Sequence, residues 1–161
     1  EPIAEENISI VVNPAIDLVI DECDSISTKI LIRRIASELS IPVIMHTSDR
    51  GMLDVERYDL KNFDSTWTLL KYARFTNEEI RENQLNIIAD FCELKNAQKR
   101  SLQSFSEIGR SLTSWPQLGG DVLAGGGNVA TASRLYLLGE NIRAGRYYLD
   151  PSKEFLPDSN G

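Results

Sequence analysis

The sequence predicts an α/β fold built on a mixed sheet, and three stretches carry that expectation. Asp17-Leu18-Val19-Ile20-Asp21 is a continuous apolar run closed by an acid, the pattern of a buried parallel strand. "DSISTKILIRRIASELS" follows it with apolar residues at helical spacing. "VIMHT" then reads as a second strand, and "MLDVERYDL", across the turn "SDRG", alternates like a third that runs antiparallel to it. Residues 15–60 are therefore expected to form strand, helix, strand and hairpin strand.

Upstream, "ENISIVV" is a short β-branched run with strand character, set off by Asn13 and Pro14. In the first helix Leu31, Ile32, Ile35, Ala36 and Leu39 form the apolar stripe. Lys29, Arg33, Arg34 and Glu38 fall off it, so these cations are expected on a solvated face, with a phosphate as the alternative partner. Asp24, Ser25 or Ser27 can cap the helix, and Ile41-Pro42 should stop it.

The middle of the chain is polar and helical. Thr76 with Glu79 is a capping box that opens a helix to about Phe91. "NAQKRSLQSFSEIGRSL" reads as another helix, with Leu102, Phe105, Ile108 and Leu112 on one face. A long helix is expected from near Ser114, with Pro116 in its first turn and Gly139 as its stop. "AGRYYLD" is expected as the last strand. The chain thus divides into a sheet-forming part (1–60), a helical crossover (61–113), a glycine-containing helix with a final strand (114–150), and a tail or linker (151–161).

Composition narrows the function classes. A chain of 161 residues, 42% hydrophobic, supports one domain with a real core. Its net charge of −7 offers no basic field to nucleic acid or to an anionic membrane. No apolar run approaches the roughly 20 residues that span a bilayer, and the acidic start "EPIAEENISI" is unlike a signal peptide. Cys23 and Cys92 stand far apart, outside any C-x-x-C pair, which argues against zinc and fits a reducing compartment. A cytoplasmic protein is expected.

"DVLAGGGNVATASRLYLLG" poses a choice. Gly125, Gly127 and Ala130 have the G-x-G-x-x-A spacing of a dinucleotide fingerprint, and Asp150 ends the next apolar run as a ribose-binding acid would. The residues given after Asp150 are expected to be too few to complete such a sheet. The alternative places Gly125, Gly126 and Gly127 inside the helix, where glycine is tolerated against a close neighbour. Val122, Leu123, Val129, Ala130, Ser133 and Leu137 would then form its buried face.

"DLVIDECDSISTK", "IPVIMHTSDRG", "WPQLGGDVLAGGGNVATASRLYLLG" and "GRYYLD" occur in an order that resembles the ThiF/MoeB family, bacterial relatives of ubiquitin-activating enzymes. "TSDRGMLDVERYD" and "SWPQL" look most like a branch fused to a nitroreductase-like flavin domain. The resemblance implies the second half of a Rossmann-like fold with an inserted helical segment. It also implies Mg-ATP-dependent adenylation of a carboxylate, usually the C-terminus of a ubiquitin-like sulfur-carrier protein, and a homodimer. Against the family's D-x-x-D-N-x-x-x-R segment, Asp24 matches the acid that holds Mg and nucleotide, and it is the catalytic candidate. Asp21 matches the acid at the strand end. Ser25 stands where the family has asparagine and Lys29 where it has arginine. The family's Gly-rich loop and triphosphate-binding cations lie in its first half, which this chain is expected to lack. ATP and Mg would bind only with that half present. The competing class is a non-catalytic module that dimerises or docks a flavin domain.

The remaining candidates have ordinary readings as well. Cys92, in "IIADFCELK", matches a segment where some family members place a reactive cysteine, but with no cation clearly placed to lower its pKa an inert helical thiol is the ordinary reading. Cys23 is expected to pack beneath the strand end. His46, the lone histidine, suits a structural or solvated role, and Asp49 and Arg50 suit a turn in which they pair with each other or with solvent.

Overall fold

The structure is a computed structural model that describes residues 2–48, 50–94, 99–113, 116–150 and 152–155. Asp49, Ser114 and most of the 151–161 tail lie outside the described residues, and so do the expectations placed on them. A sheet organises the helices around it. Its strands are β1 (Val19–Asp21), β2 (Val43–Thr47), β3 (Met52–Glu56) and β4 (Gly145–Tyr148), in spatial order β1-β2-β3-β4. β1 runs parallel to β2, in register Val19 opposite Val43; β3 is antiparallel to both β2 and β4. The fold is therefore mixed α/β with an open four-stranded sheet.

The run 17–21 forms only a three-residue edge strand, not a buried one: Ile20 is 50% exposed. "ENISIVV" is not a strand. It contains the single helical turn α1 (Ile8–Val11), which the Asn7 side chain organises by accepting from the Ala4 N–H at 2.8 Å. Ile8 and Val12 then pack on α2 (Ile26–Glu38), and this tertiary contact overrides β-propensity.

Helix α2 begins at the N-cap Ser25, whose hydroxyl accepts from the Thr28 N–H at 3.3 Å. Its end is set at Glu38, ahead of the Ile41-Pro42 pair expected to stop it. Ser40 adopts φ +57°, and the Ile41 N–H returns to the Ala36 carbonyl at 2.8 Å, a Schellman closure. β2 alternates cleanly between the two layers. Val43 and Met45 face the α2 side, while Ile44 and His46 face α6 (Gly119–Leu137). On the α2 side the core gathers Ile26, Ile30, Met45, Met52 and Leu69, closed by Ile80 from α3 (Asn77–Glu82) and Ile87 and Phe91 from α4 (Gln84–Phe91). On the α6 side a smaller core joins Ile44, Leu53, Val55 and Val129.

The capping box forms as expected. The Thr76 hydroxyl accepts from the Glu79 N–H (3.2 Å), and the Glu79 carboxylate accepts from the Thr76 N–H (2.7 Å). The single helix expected here is broken at Asn83 into α3 and α4. α5 (Lys99–Glu107) ends before Ile108, which pairs with Leu112 in an isolated bridge, so the two do not extend the helical face. A final short helix, α7 (Ser152–Phe155), follows β4.

α6 starts at Gly119, with Leu118 as N-cap, so Pro116 precedes the helix. Its buried residues are Gly125, Val129 and Ser133, a narrow i, i+4, i+8 line. Leu123, Val122 and Leu137, expected inside, are exposed; Leu123 reaches 80%. The helix is rotated from the expected face because the glycine side is the side that can approach the sheet closely. Gly125, Gly126 and Gly127 lie well inside this helix, which removes the phosphate-binding turn that a dinucleotide site needs. Gly139, at φ +81°, marks the end as expected.

Candidate functional site

The segment from Asp21 to Lys29 joins the carboxyl end of β1 to the start of α2, the position where open α/β sheets bind ligands. Because β1 ends at Asp21 and Ser25 is the N-cap, only residues 22–24 lie in the connection. Two layers of charge result, one inside and one facing solvent.

The inner layer is an ion network. The Asp21 side chain is fully buried and accepts from the Lys29 ammonium at 3.2 Å and the Arg33 Nη1 at 2.5 Å. Arg33, also fully buried, donates onward from Nε (3.0 Å) and Nη2 (2.8 Å) to Glu56 Oε1. The other Glu56 oxygen accepts from the Tyr58 hydroxyl at 2.5 Å. Met45 Sδ lies 3.4 Å from both Lys29 Nζ and Arg33 Nη2. Burial alone would raise the Asp21 pKa, but Arg33 and Lys29 outweigh it and hold the carboxyl at about 2. Burial pushes the Cys23 thiol up to about 12, helped by its bond to Asp21 (Sγ to Oδ1, 2.9 Å). A thiol held protonated in this way is a poor nucleophile.

Lys29 and Arg33 are thus neither solvated nor available to a phosphate: each is paired with carboxylate inside the protein. Arg34 is the only one of the three expected surface cations that behaves as expected, pairing with Glu5 at the surface. The signal that sequence reasoning missed is a second stripe. Ile26, Lys29, Ile30 and Arg33 stand at i, i+3, i+4 and i+7, so the two cations share a face with two buried isoleucines.

The same correction applies to β3. Its alternation suggests a solvated polar face, yet Asp54 and Glu56 are fully buried. Asp54 accepts two bonds from Arg146 of β4, at 2.8 and 2.7 Å, as Glu56 accepts from Arg33. Alternation identified the two faces correctly, but both are covered.

The outer layer holds Asp24, Ser25 and Glu22. Asp24 is exposed and does not cap α2, because Ser25 does. No hydrogen bond or ion pair engages its carboxylate among the described residues. The Glu22 carboxylate accepts from the His46 N–H at 3.2 Å, tying the connection to the end of β2; burial raises its pKa. The His46 side chain is buried against Gly125, and its Nε2 has no partner among the described residues. Burial lowers its pKa against the opposing pull of Asp121. Among the described residues, no group of three or more His, Cys, Asp or Glu side chains is close enough to hold a metal by itself.

The remaining candidates are dispersed. Cys92 is the C-cap of α4 and half-buried, and its carbonyl accepts from Arg50 Nη2 at 2.9 Å. Arg50 also stacks over the Tyr148 ring at 4.5 Å, and its backbone takes φ +55° in the turn. No helix among the described residues is long and apolar enough to cross a membrane.

No family model matches the chain, and no solved structure matches it. The chain is similar to an uncharacterized protein of Mycobacterium tuberculosis (strain CDC 1551 / Oshkosh), at 36% identity over 144 residues, which cover 85% of this chain and 20% of that protein. The chain therefore spans about a fifth of the length of the relative it matches.

Proposed function

We infer that this chain is the metal-binding half of a ThiF/MoeB-like adenylation domain, acting within a longer protein. The observation that carries this reading is Asp24: an exposed carboxylate at the carboxyl end of β1, which the fold uses neither as a cap nor as an ion-pair partner. Such a group is free to take one coordination position of a magnesium ion that also binds phosphate. Magnesium would offset charge on the phosphates during attack by a carboxylate, here the C-terminus of a ubiquitin-like sulfur carrier.

The fit to a triphosphate is incomplete in this chain. Lys29 and Arg33 neutralise Asp21 and Glu56, so neither is left for phosphate oxygens. On this reading the phosphate-binding cations come from the rest of the longer protein. The open edge of β1 supports that arrangement. Its exposed Ile20 and single strand neighbour suit the addition of further parallel strands, which would complete a Rossmann-like sheet.

The test is ATP–pyrophosphate exchange with the natural full-length product and a ubiquitin-like carrier. Exchange that Asp24→Asn abolishes supports the reading; Mg-ATP binding and exchange unchanged by Asp24→Asn overturn it. This chain alone should show negligible ATP affinity by calorimetry.

The outer face of α6 favours a second reading, a dimerisation or docking module for a flavin domain. Leu118, Leu123, Leu137 and Leu138 are all exposed on or beside that helix. Light scattering separates the two: a dimer that Leu123→Glu dissociates, with no exchange activity in the full-length product, favours the module.

A further inference from the structure

We propose that the groove between α6 and the β3–β4 half of the sheet binds a small organic anion with a flat apolar body. The groove is open to solvent and offers about 390 Å³, within the usual range of small-molecule sites. Leu53, Val55 and Tyr147 form its sheet-side floor, and Ala132 and Leu135 its helical wall. Three polar residues also line this apolar surface: Asn128 from α6, and Asn141 and Arg143 from the loop that leads to β4. No hydrogen bond, ion pair or ring contact engages these three side chains among the described residues. Thr131, also on the wall, differs, because its hydroxyl is committed to the Gly127 carbonyl at 2.9 Å.

The loop is held while these side chains are left unused. Arg57 Nη1 donates to the Ile142 carbonyl at 2.7 Å, and the Tyr147 hydroxyl donates to the Arg143 carbonyl at 2.7 Å. Arg57 is itself fixed by Asp59, through bonds of 2.8, 3.1 and 2.8 Å. One long-range anchor, from Arg57, and one local anchor, from Tyr147, therefore fix the backbone on which Arg143 stands. A guanidinium placed at the rim of an apolar slot recognises a carboxylate, sulfonate or phosphate by paired N–H donors, and the floor takes the body of the molecule. The two amides can add bonds to a carbonyl or hydroxyl on its edge. None of Asp21, Asp24, Ser25 and Lys29 lines the groove, so this inference is independent of the adenylation reading.

The experiment is calorimetric titration of the chain with naphthoate and, as the uncharged match, naphthamide. Saturable naphthoate binding about tenfold tighter than naphthamide is expected, the scale of one charge-assisted hydrogen-bond pair. Arg143→Gln should weaken naphthoate about tenfold and leave naphthamide unchanged; Asn128→Asp should also weaken only the anion. Thermal melts of both variants, which alter no contact of the fold, should match the parent protein. Absence of saturable naphthoate binding, equal affinity for the two compounds, or naphthoate affinity unaffected by Arg143→Gln would each overturn the proposal.

Discussion

The imidazole of His46 occupies the space where a side chain at position 125 would begin. A Cβ added to Gly125 would lie 1.9, 2.0 and 2.2 Å from three ring atoms. Nothing lies within 4 Å of the corresponding point at Gly126 or Gly127. The three adjacent glycines therefore have different physical standing. Gly125→Ala forces the ring or the helix to move and should cost about 1–3 kcal/mol. Gly126→Ala and Gly127→Ala should instead stabilise by about 0.5–1 kcal/mol each, through helix propensity. Urea denaturation of the three variants checks this, and equal gains at all three would refute the contact.

Among the described residues, Arg33 is the only one that bonds both Asp21 and Glu56 in the buried network. Arg33→Met keeps much of the volume but leaves two buried carboxylates without their main partner. A loss of about 3–5 kcal/mol is expected, the scale of a broken buried pair. Arg34→Met, one residue on, breaks only the exposed pair with Glu5 and should change stability by about 0.5 kcal/mol or less. Chemical denaturation distinguishes the two.

Ser25 and Asp24 also separate. Ser25→Ala removes the N-cap of α2 and should cost about 1 kcal/mol. Asp24→Ala removes no hydrogen bond or ion pair among the described residues and should stay within about 0.5 kcal/mol of the parent. A stability-neutral Asp24 variant would make any loss of Mg-ATP binding in the full-length product a site effect rather than an unfolding effect.

The pH dependence of stability should have two limbs. His46 is held below its ordinary pKa of 6.5 by burial, so the unfolded chain takes up the proton first. Stability should therefore fall as pH drops below about 6.5, and His46→Gln should flatten that limb. Asp21 is held at about 2 against an ordinary 3.8, so it stabilises above about pH 4, and that contribution is lost as pH falls toward 2. A displacement of that size is worth roughly 2 kcal/mol. Melting temperatures from pH 8 to pH 2, with Asp21→Asn as control for the acid limb, measure both. An identical profile between pH 8 and 5 in the parent and His46→Gln would contradict the buried His46, because Glu22, with its pKa raised by burial, acts in the opposite direction in both.

Strand–helix–strand–hairpin order, the capping box, the Gly139 stop and the final strand were all legible in the sequence. Each rests on a local rule: apolar periodicity, a Thr–Glu pair three apart, or a glycine free to take positive φ. The candidate site was legible as a location, because an acid-closed strand followed by a capped helix needs only neighbours in the chain. Its internal division was not. Lys29, Arg33, Asp54 and Glu56 look like surface charges until the sheet and α2 bury them and give each a partner of opposite sign. Burial of a charge depends on a counter-charge from a distant segment, such as Glu56 for Arg33, and periodicity carries no record of that pairing. The rotation of α6 was hidden for the same reason. Hydrophobicity favoured Leu123 and Leu137 as core, but the sheet accepts the side on which Gly125 leaves room for His46. Apart from "ENISIVV" and the break at Asn83, the sequence by itself determined which segments become strands and helices and where β1 meets α2. Only the tertiary structure decided which charges are spent on holding the fold and which, with Asp24 and Arg143, are left over, because that is settled by contacts between residues far apart in the chain.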